Sequence, residues 1–87
     1  MLIMILFYKA VINVLISYDR LWKLLIDKKM KKVDLMRKAK ISSNALAHLS
    51  KGESVSLECV GKICIALDCT PNDILEFIMI NKENVGQ

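Results

Sequence analysis

Beyond Ser17, apolar residues recur along the chain every three to four positions, with polar residues between them. This spacing is typical of amphipathic helices, in which one face is buried and the other is hydrated. It predicts a first helix over residues 18–28 that ends near Lys28 and Lys29, where cations suit the negative end of the helix dipole. The apolar face of this predicted helix comprises Tyr18, Leu21, Trp22, Leu25 and Ile26.

The same period predicts four more helices, over residues 32–39, 43–50, 57–68 and 71–79. The last three of these follow a residue suited to capping a helix N-terminus, namely Ser42, Ser56 and Thr70. The start signal of the fifth helix is the clearest, because Pro71 fits the first helical position and Asp73 can accept a hydrogen bond from the capping residue. The fourth helix is expected to bury Leu57, Val60, Ile63, Cys64 and Leu67, and the fifth Ile74, Leu75 and Ile78.

Two glycines have different expected roles. Gly52 lies in the turn over residues 51–54, where the chain reverses and a positive φ suits glycine. Gly61 lies inside the predicted fourth helix, where glycine costs about 1 kcal/mol relative to alanine. This cost indicates that Gly61 marks a close packing contact.

The first sixteen residues are apolar except for Lys9 and Asn13. As a helix they would span about 24 Å, which is short of the roughly 30 Å hydrocarbon core of a bilayer. The β-branched run over residues 13–17 predicts a short strand, which must pair with another strand, for example its copy in a dimer. The chain therefore divides into an apolar N-terminal extension (1–17), a helical domain (18–79) and a polar tail (80–87).

Composition and charge narrow the class of protein. The chain has 87 residues, of which 54% are hydrophobic, with three glycines and one proline. These values favour one small, mainly helical domain over a disordered chain. The net charge is +4, and residues 18–53 hold ten Lys or Arg against four Asp or Glu. This concentration of positive charge indicates an acidic partner, either nucleic acid or an anionic membrane surface.

Few residues offer catalytic or metal chemistry. The chain has one histidine and lacks an HExxH motif, a Gly-rich phosphate loop and a recognisable carboxylate pair. We therefore expect no enzymatic activity, cofactor or small-molecule substrate. Cys59, Cys64 and Cys69 are spaced five apart, so they cannot share one helix face, and zinc pairs usually lie closer. We expect them to be reduced thiols in a core, with no metal site, in a reducing compartment such as the cytoplasm.

A tight connection at residues 40–41 joins the second and third predicted helices. Around it lie Asp34, Leu35, Ala39, Ile41, Ser42, Leu46, Leu49 and Gly52, followed by Leu-Asp-Cys-Thr-Pro-Asn-Asp-Ile-Leu at residues 67–75. In this order and spacing they resemble the lambda-repressor-like Cro/cI (Xre) family of helix-turn-helix DNA-binding domains, over residues 18–79. The resemblance implies an all-α, five-helix fold. Many members of that family have glycine where this chain has Lys29 and Lys40.

The resemblance also implies which side chains meet DNA. By match to the family's reading positions, base contacts are expected from Ser43, Asn44, Ala47 and His48 in the major groove. Leu46 and Leu49 would hold this third helix against the core. Phosphate contacts are expected from Lys32, Lys40, Ser42 and Lys51, with Lys29 and Lys31 as further candidates. Trp22 and Tyr18 are expected to be core or dimer contacts rather than base-stacking residues.

The function implied is a sequence-specific, double-stranded-DNA-binding regulator of transcription, dimeric and cytoplasmic. Two alternatives remain open. One is a protein-interaction module, an antitoxin or adaptor, on the same fold, motivated by the long apolar N-terminus. The other is a regulator tethered to a membrane by residues 1–16, which their short span disfavours.

Overall fold

The computed structural model of the protein describes residues 12–81. In chain order its elements are strand β1 (Ile12–Ser17), helices α1 (Asp19–Asp27), α2 (Lys32–Ala39), α3 (Ser43–Ser50) and α4 (Leu57–Leu67), a 3-10 turn (Pro71–Asp73) and strand β2 (Glu76–Asn81). The first four predicted helices are confirmed, with ends that differ by one residue at most. Across the part of the chain that the structure describes, no helix combines the length and the apolar character needed to cross a membrane.

One hydrophobic core joins all four helices. Its buried members include Leu21 and Leu25 of α1, Leu35 and Ala39 of α2, Leu49 of α3, Val60, Ile63 and Leu67 of α4, and Ile74. Tyr18 is also buried, and its hydroxyl donates a hydrogen bond of 2.8 Å to the carbonyl of Glu53. Burial, with a smaller effect of Cys59, raises the pKa of Tyr18 above its ordinary value of 10.0. The phenol therefore stays protonated and ties the start of α1 to the loop after α3.

Two predicted helix starts are confirmed by their caps. The hydroxyl of Ser42 accepts a hydrogen bond of 3.0 Å from the backbone amide of Ala45. The hydroxyl of Ser56 likewise accepts a bond of 3.1 Å from the amide of Cys59. Each cap satisfies an amide at a helix end that has no partner within the helix, so serine at these positions fixes where α3 and α4 begin.

Two lysines occupy the left-handed backbone region. Lys29, after α1, and Lys40, after α2, both have a φ of 56°, and Gly52 has the positive φ expected of it, 73°. A side chain in this region costs roughly 1 kcal/mol because its Cβ crowds the backbone. Many members of the similar family have glycine at these two positions. Lysine at both positions therefore lowers the stability of this chain relative to glycine.

Three expectations about packing are wrong. Ile26 and Leu57 were assigned to buried faces, yet they are 72% and 87% exposed. Both lie in a terminal turn of their helix, and Leu24 rather than Ile26 packs against the core. Gly61 does not mark a close contact either, because a Cβ added there would meet no atom within 4 Å.

The predicted fifth helix over residues 71–79 is also wrong. Its start signal is present, because the Asp73 carboxylate accepts hydrogen bonds from the amide (3.0 Å) and the hydroxyl (3.1 Å) of Thr70. The helical turn ends at Asp73, however, and the chain extends into β2, which leaves Ile78 45% exposed instead of buried. The β-branched and aromatic residues of β2 favour an extended strand once β1 is available to pair with it.

The strand predicted near the N-terminus is confirmed, and in the structure its partner belongs to the same chain. β1 and β2 pair in antiparallel register, with Ile12 opposite Asn81 and Ser17 opposite Glu76. We refer to this two-stranded sheet as the β-ribbon. The Arg20 guanidinium anchors its base to α1, donating to the Glu76 carboxylate (3.1 Å) and to the carbonyl of Asn72 (2.9 Å).

Candidate nucleic-acid interface

The connection between α2 and α3 orients the two helices. Lys40 ends α2 in the left-handed region, with φ 56° and ψ 43°. Ile41 follows it into the core with 9% exposure. The amide of Ile41 donates to the carbonyl of Met36 at 3.2 Å, which closes the last turn of α2. Ser42 then caps α3. A buried residue between two helix ends therefore fixes the angle at which α3 leaves the core.

The buried side of α3 is formed by Leu49, which is 1% exposed, and by Ala45, which packs against the core. Leu46 is half-buried, so it contributes less to this contact than was expected. The opposite side of the helix carries Ser43, Asn44 and Ala47, all of which are exposed. Three of the four predicted base-contact residues thus share an open helix surface, which we call the α3 polar face (Ser43, Asn44, Ala47).

His48, the fourth predicted base-contact residue, lies at the edge of this surface. Its Nδ1 atom is 2.7 Å from a carboxylate oxygen of Glu53, and the amide of Glu53 donates to the carbonyl of His48 at 2.9 Å. Because an ionised carboxylate only accepts hydrogen bonds, Nδ1 carries the proton in this contact. The structure therefore engages His48 with the loop after α3. Glu53 could not be identified from the sequence, because a separation of five residues across a turn has no periodic signature.

Lys32, a predicted phosphate contact, is held by residues of two other helices. Its ammonium lies 4.2 Å from the centre of the Trp22 ring of α1. It also donates a hydrogen bond of 3.3 Å to the hydroxyl of Ser50, the last residue of α3. Trp22 packs partly against the core, as expected, and its ring in addition supports a cation. The side chain of Lys32 remains exposed, so its charge is both oriented and available to a ligand.

The other predicted phosphate contacts lie on the surface near the ends of the helix-turn-helix unit. Lys40, Ser42 and Lys51 are exposed, as are Lys29 and Lys31. The hydroxyl of Ser42 already accepts the amide of Ala45 at 3.0 Å, so only its proton is available for a phosphate.

Positive charge dominates this region. Residues 28–52 contain eight Lys or Arg and one acidic residue, Asp34. The Asp34 carboxylate accepts the backbone amide of Lys31 at 2.8 Å, at the start of α2. The Asp34 carboxylate therefore caps the N-terminus of α2. The remaining charges around α2 and α3 are positive, so this surface attracts anions.

The cysteines and acidic residues do not form a second site. Cys59 is buried, and Cys64 and Cys69 pack at the edge of the core. Burial, with smaller effects of Cys64 and Asp73, raises the pKa of Cys69 to about 11, which keeps this thiol protonated. Within residues 12–81, no group of three or more His, Cys, Asp or Glu is placed to hold a metal ion.

Two helices joined by three residues, the second of them presenting a polar face beside a basic surface, define a helix-turn-helix domain of the kind that enters a DNA groove. The sequence profile of the Cro/C1-type HTH DNA-binding domain matches residues 20–79, and the chain belongs to this family. The resemblance inferred from the sequence is therefore confirmed.

A solved structure supports the same assignment. The chain is similar to the crystal structure of the transcriptional regulator VanUg, Form II, with 42% sequence identity and a TM-score of 0.74. The similarity covers 76% of this chain and 88% of that one. A comparison with curated proteins gives no match.

Proposed function

We propose that this protein is a transcriptional regulator that binds double-stranded DNA in a sequence-specific manner, as a dimer, with α3 in the major groove. The observation that carries the proposal is the α3 polar face, which is exposed while Leu49 on the opposite side is buried. The major groove is about 12 Å wide and admits one helix. The similar structure of the regulator VanUg supports a role in transcription.

Base recognition is assigned to α3. The amide of Asn44 can bond with both N6 and N7 of adenine, and the hydroxyl of Ser43 can donate or accept. The methyl group of Ala47 can contact the methyl group of a thymine. His48 can reach a base through Nε2 while Glu53 holds Nδ1 at 2.7 Å.

Backbone contacts are assigned to residues around α3. Lys32, Lys40 and Lys51 supply cations, and the hydroxyl of Ser42 and the N-terminal amides of α2 supply hydrogen-bond donors to phosphate oxygens. These contacts set affinity and register on the duplex, since phosphates carry no sequence information. Trp22 and Ser50 position the ammonium of Lys32 before DNA arrives, through contacts of 4.2 and 3.3 Å.

Dimerisation follows from the limited reach of one helix. A single α3 reads only a few base pairs, and dimers of such domains place two recognition helices about 34 Å apart on one side of the duplex. The expected target is therefore pseudo-palindromic, with half-sites separated by about one helical turn.

Selection of binding sites from random duplexes, followed by a salt titration on the selected duplex, tests the proposal. If Lys32, Lys40 and Lys51 of each copy each neutralise one phosphate, the logarithm of affinity should fall against the logarithm of salt with a slope near −5. Lys32→Ala should reduce that slope by about one per copy. Lys23→Ala is the matched control, because Lys23 lies in the groove between α1 and the 3-10 turn. A flat salt dependence, or failure to select any sequence, would contradict the proposal.

A further inference from the structure

The β-ribbon presents apolar side chains to solvent on both of its faces. Leu15 and Ile78 are paired on one face and are 50% and 45% exposed. Phe77 and Met79 alternate with Ile78 along β2, so they lie on the other face, where they are 65% and 72% exposed. A two-stranded sheet gains stability when its apolar faces are covered, so burial of these side chains against a partner would stabilise the β-ribbon.

The edges of the β-ribbon lack the residues that usually prevent strand addition. Lys, Arg, Pro and Gly are absent from both strands, although charged residues and proline commonly protect an exposed edge. The charged residue Glu76 is paired with Arg20 at 3.1 Å, at the base of the ribbon. Strand β2 therefore offers an uncharged edge of backbone donors and acceptors, flanked by apolar side chains.

We propose that a second copy of this chain docks on the β-ribbon, with the two β2 strands adjacent and antiparallel across a two-fold axis. Phe77, Ile78 and Met79 then lie against the same segment of the other copy. A two-fold contact joins one surface to itself, and an apolar strand without net charge along its middle meets that condition. This contact would be the interface of the DNA-binding dimer proposed above. The role of the interface in DNA binding therefore rests on the proposed function.

The charge distribution favours a second copy over a nucleic acid as the occupant. β1 and β2 contain no cation, so they do not suit a phosphate backbone. The cations are concentrated in residues 18–53, between the two strands in the sequence. Two copies that meet at their ribbons thus bring apolar strands together without placing lysines in the contact, whose burial would be costly.

The location of the β-ribbon also suits a dimer that reads one duplex. Leu15 and Ile16 line a cleft together with His48 and Glu53, at the C-terminal end of α3. The carbonyl oxygen of Ile16 lies close to Gly52, 3.6 Å from where a Cβ atom would stand if this residue had one. Docking through the ribbon therefore brings the ends of two α3 helices towards the contact, which allows both to address one DNA molecule.

Sedimentation velocity of the full-length chain without DNA, over a wide range of concentration, tests the interface. The wild-type chain should dimerise, and Met79→Lys or Phe77→Lys should raise the dissociation constant at least about tenfold, because each copy would then place a charged side chain against apolar residues of the other copy. Leu57→Lys and Ile65→Lys are matched controls, since these α4 residues are 87% and 84% exposed. Both controls should remain dimeric, and circular dichroism should show the same helix content in all variants.

A wild-type chain that stays monomeric at all concentrations would overturn the proposal. This is the result expected if residues 1–11 of the same copy, and not a second copy, cover the β-ribbon. A Met79→Lys chain that dimerises as tightly as the wild type would also overturn it, and would assign the dimer to another surface. The experiment contains no DNA, so the two proposals fail separately. A ribbon-dependent dimer that selects no DNA sequence contradicts only the proposed function. A monomer that binds a selected sequence contradicts this interface and the proposed dimer, but leaves sequence-specific binding by α3 intact.

Discussion

Lys32 and Trp22 form a contact between α2 and α1, with the ammonium 4.2 Å from the centre of the indole ring. The first residue of α2 is thereby fixed relative to the preceding helix. The same ammonium donates a hydrogen bond of 3.3 Å to the hydroxyl of Ser50, so it also contacts the last residue of α3. Lys32 of α2 thus contacts both α1 and α3 beside the proposed DNA surface.

The energy of this contact can be measured directly. A double-mutant cycle with Trp22→Leu and Lys32→Met should give a coupling energy of about 0.5–1 kcal/mol in the free energy of unfolding, as expected for a solvent-exposed cation over an aromatic ring. Urea denaturation of the four proteins supplies the values. Strictly additive effects would mean that the ring and the ammonium do not interact in solution.

Gly61 and Gly52 should respond in opposite directions to replacement by alanine. Gly61→Ala should raise the free energy of unfolding by about 0.5–1 kcal/mol, because alanine is the better helix former and its Cβ meets no atom within 4 Å. Gly52→Ala should lower it, because φ is 73° at this position. Urea denaturation distinguishes the two, and a destabilised Gly61→Ala would contradict the prediction that helix propensity decides the effect at this position.

Lys29 should be improved by glycine. Lys29→Gly relieves the left-handed backbone at φ 56° and should stabilise the protein by about 0.5 kcal/mol after the added flexibility of the unfolded chain is counted. The neighbouring Lys28 has φ −88°, so Lys28→Gly removes the same charge without relieving strain and should destabilise the protein. Thermal denaturation of the pair at the same ionic strength checks the sign of each effect.

Asp73 should make the free energy of unfolding depend on pH in the acidic range. The amide and the hydroxyl of Thr70 donate to its carboxylate and, in that order, hold the pKa of Asp73 below its ordinary value of 3.8. A lowered pKa in the folded state adds stability that is fully present above the ordinary value and is lost as the pH falls through the lowered one. The difference in unfolding free energy between wild type and Asp73→Asn should therefore be constant above about pH 5 and shrink below about pH 4. A difference that does not change with pH would contradict this role.

The helices between residues 19 and 67 could be predicted because each contains enough residues to display its own period, together with serine caps at 42 and 56. The segment after Asp73 could not be assigned in the same way. Its short apolar run fits either a helix or a strand, and the choice depends on β1, which lies some sixty positions earlier in the sequence. Tertiary pairing overrode a local start signal that is itself present at Thr70.

The candidate site shows the same limit. The exposure of Ser43, Asn44 and Ala47 on one side of α3 could be predicted, because the spacing of a single helix determines which residues share a side. Their contact with bases stays a prediction. The contacts of Trp22 with Lys32 and of His48 with Glu53 join different elements, or cross a turn, and leave no periodic trace in the sequence.

The central claim, that α3 reads bases, is tested most directly by the affinity of Asn44→Ala for the selected duplex and for a random duplex of equal length. We predict a loss of about 1–3 kcal/mol on the selected duplex and little change on the random one, so that discrimination falls. Asn72→Ala, which changes the same residue type in the groove between α1 and the 3-10 turn, should alter neither affinity. Equal losses on both duplexes, or no loss on either, would contradict base recognition by α3.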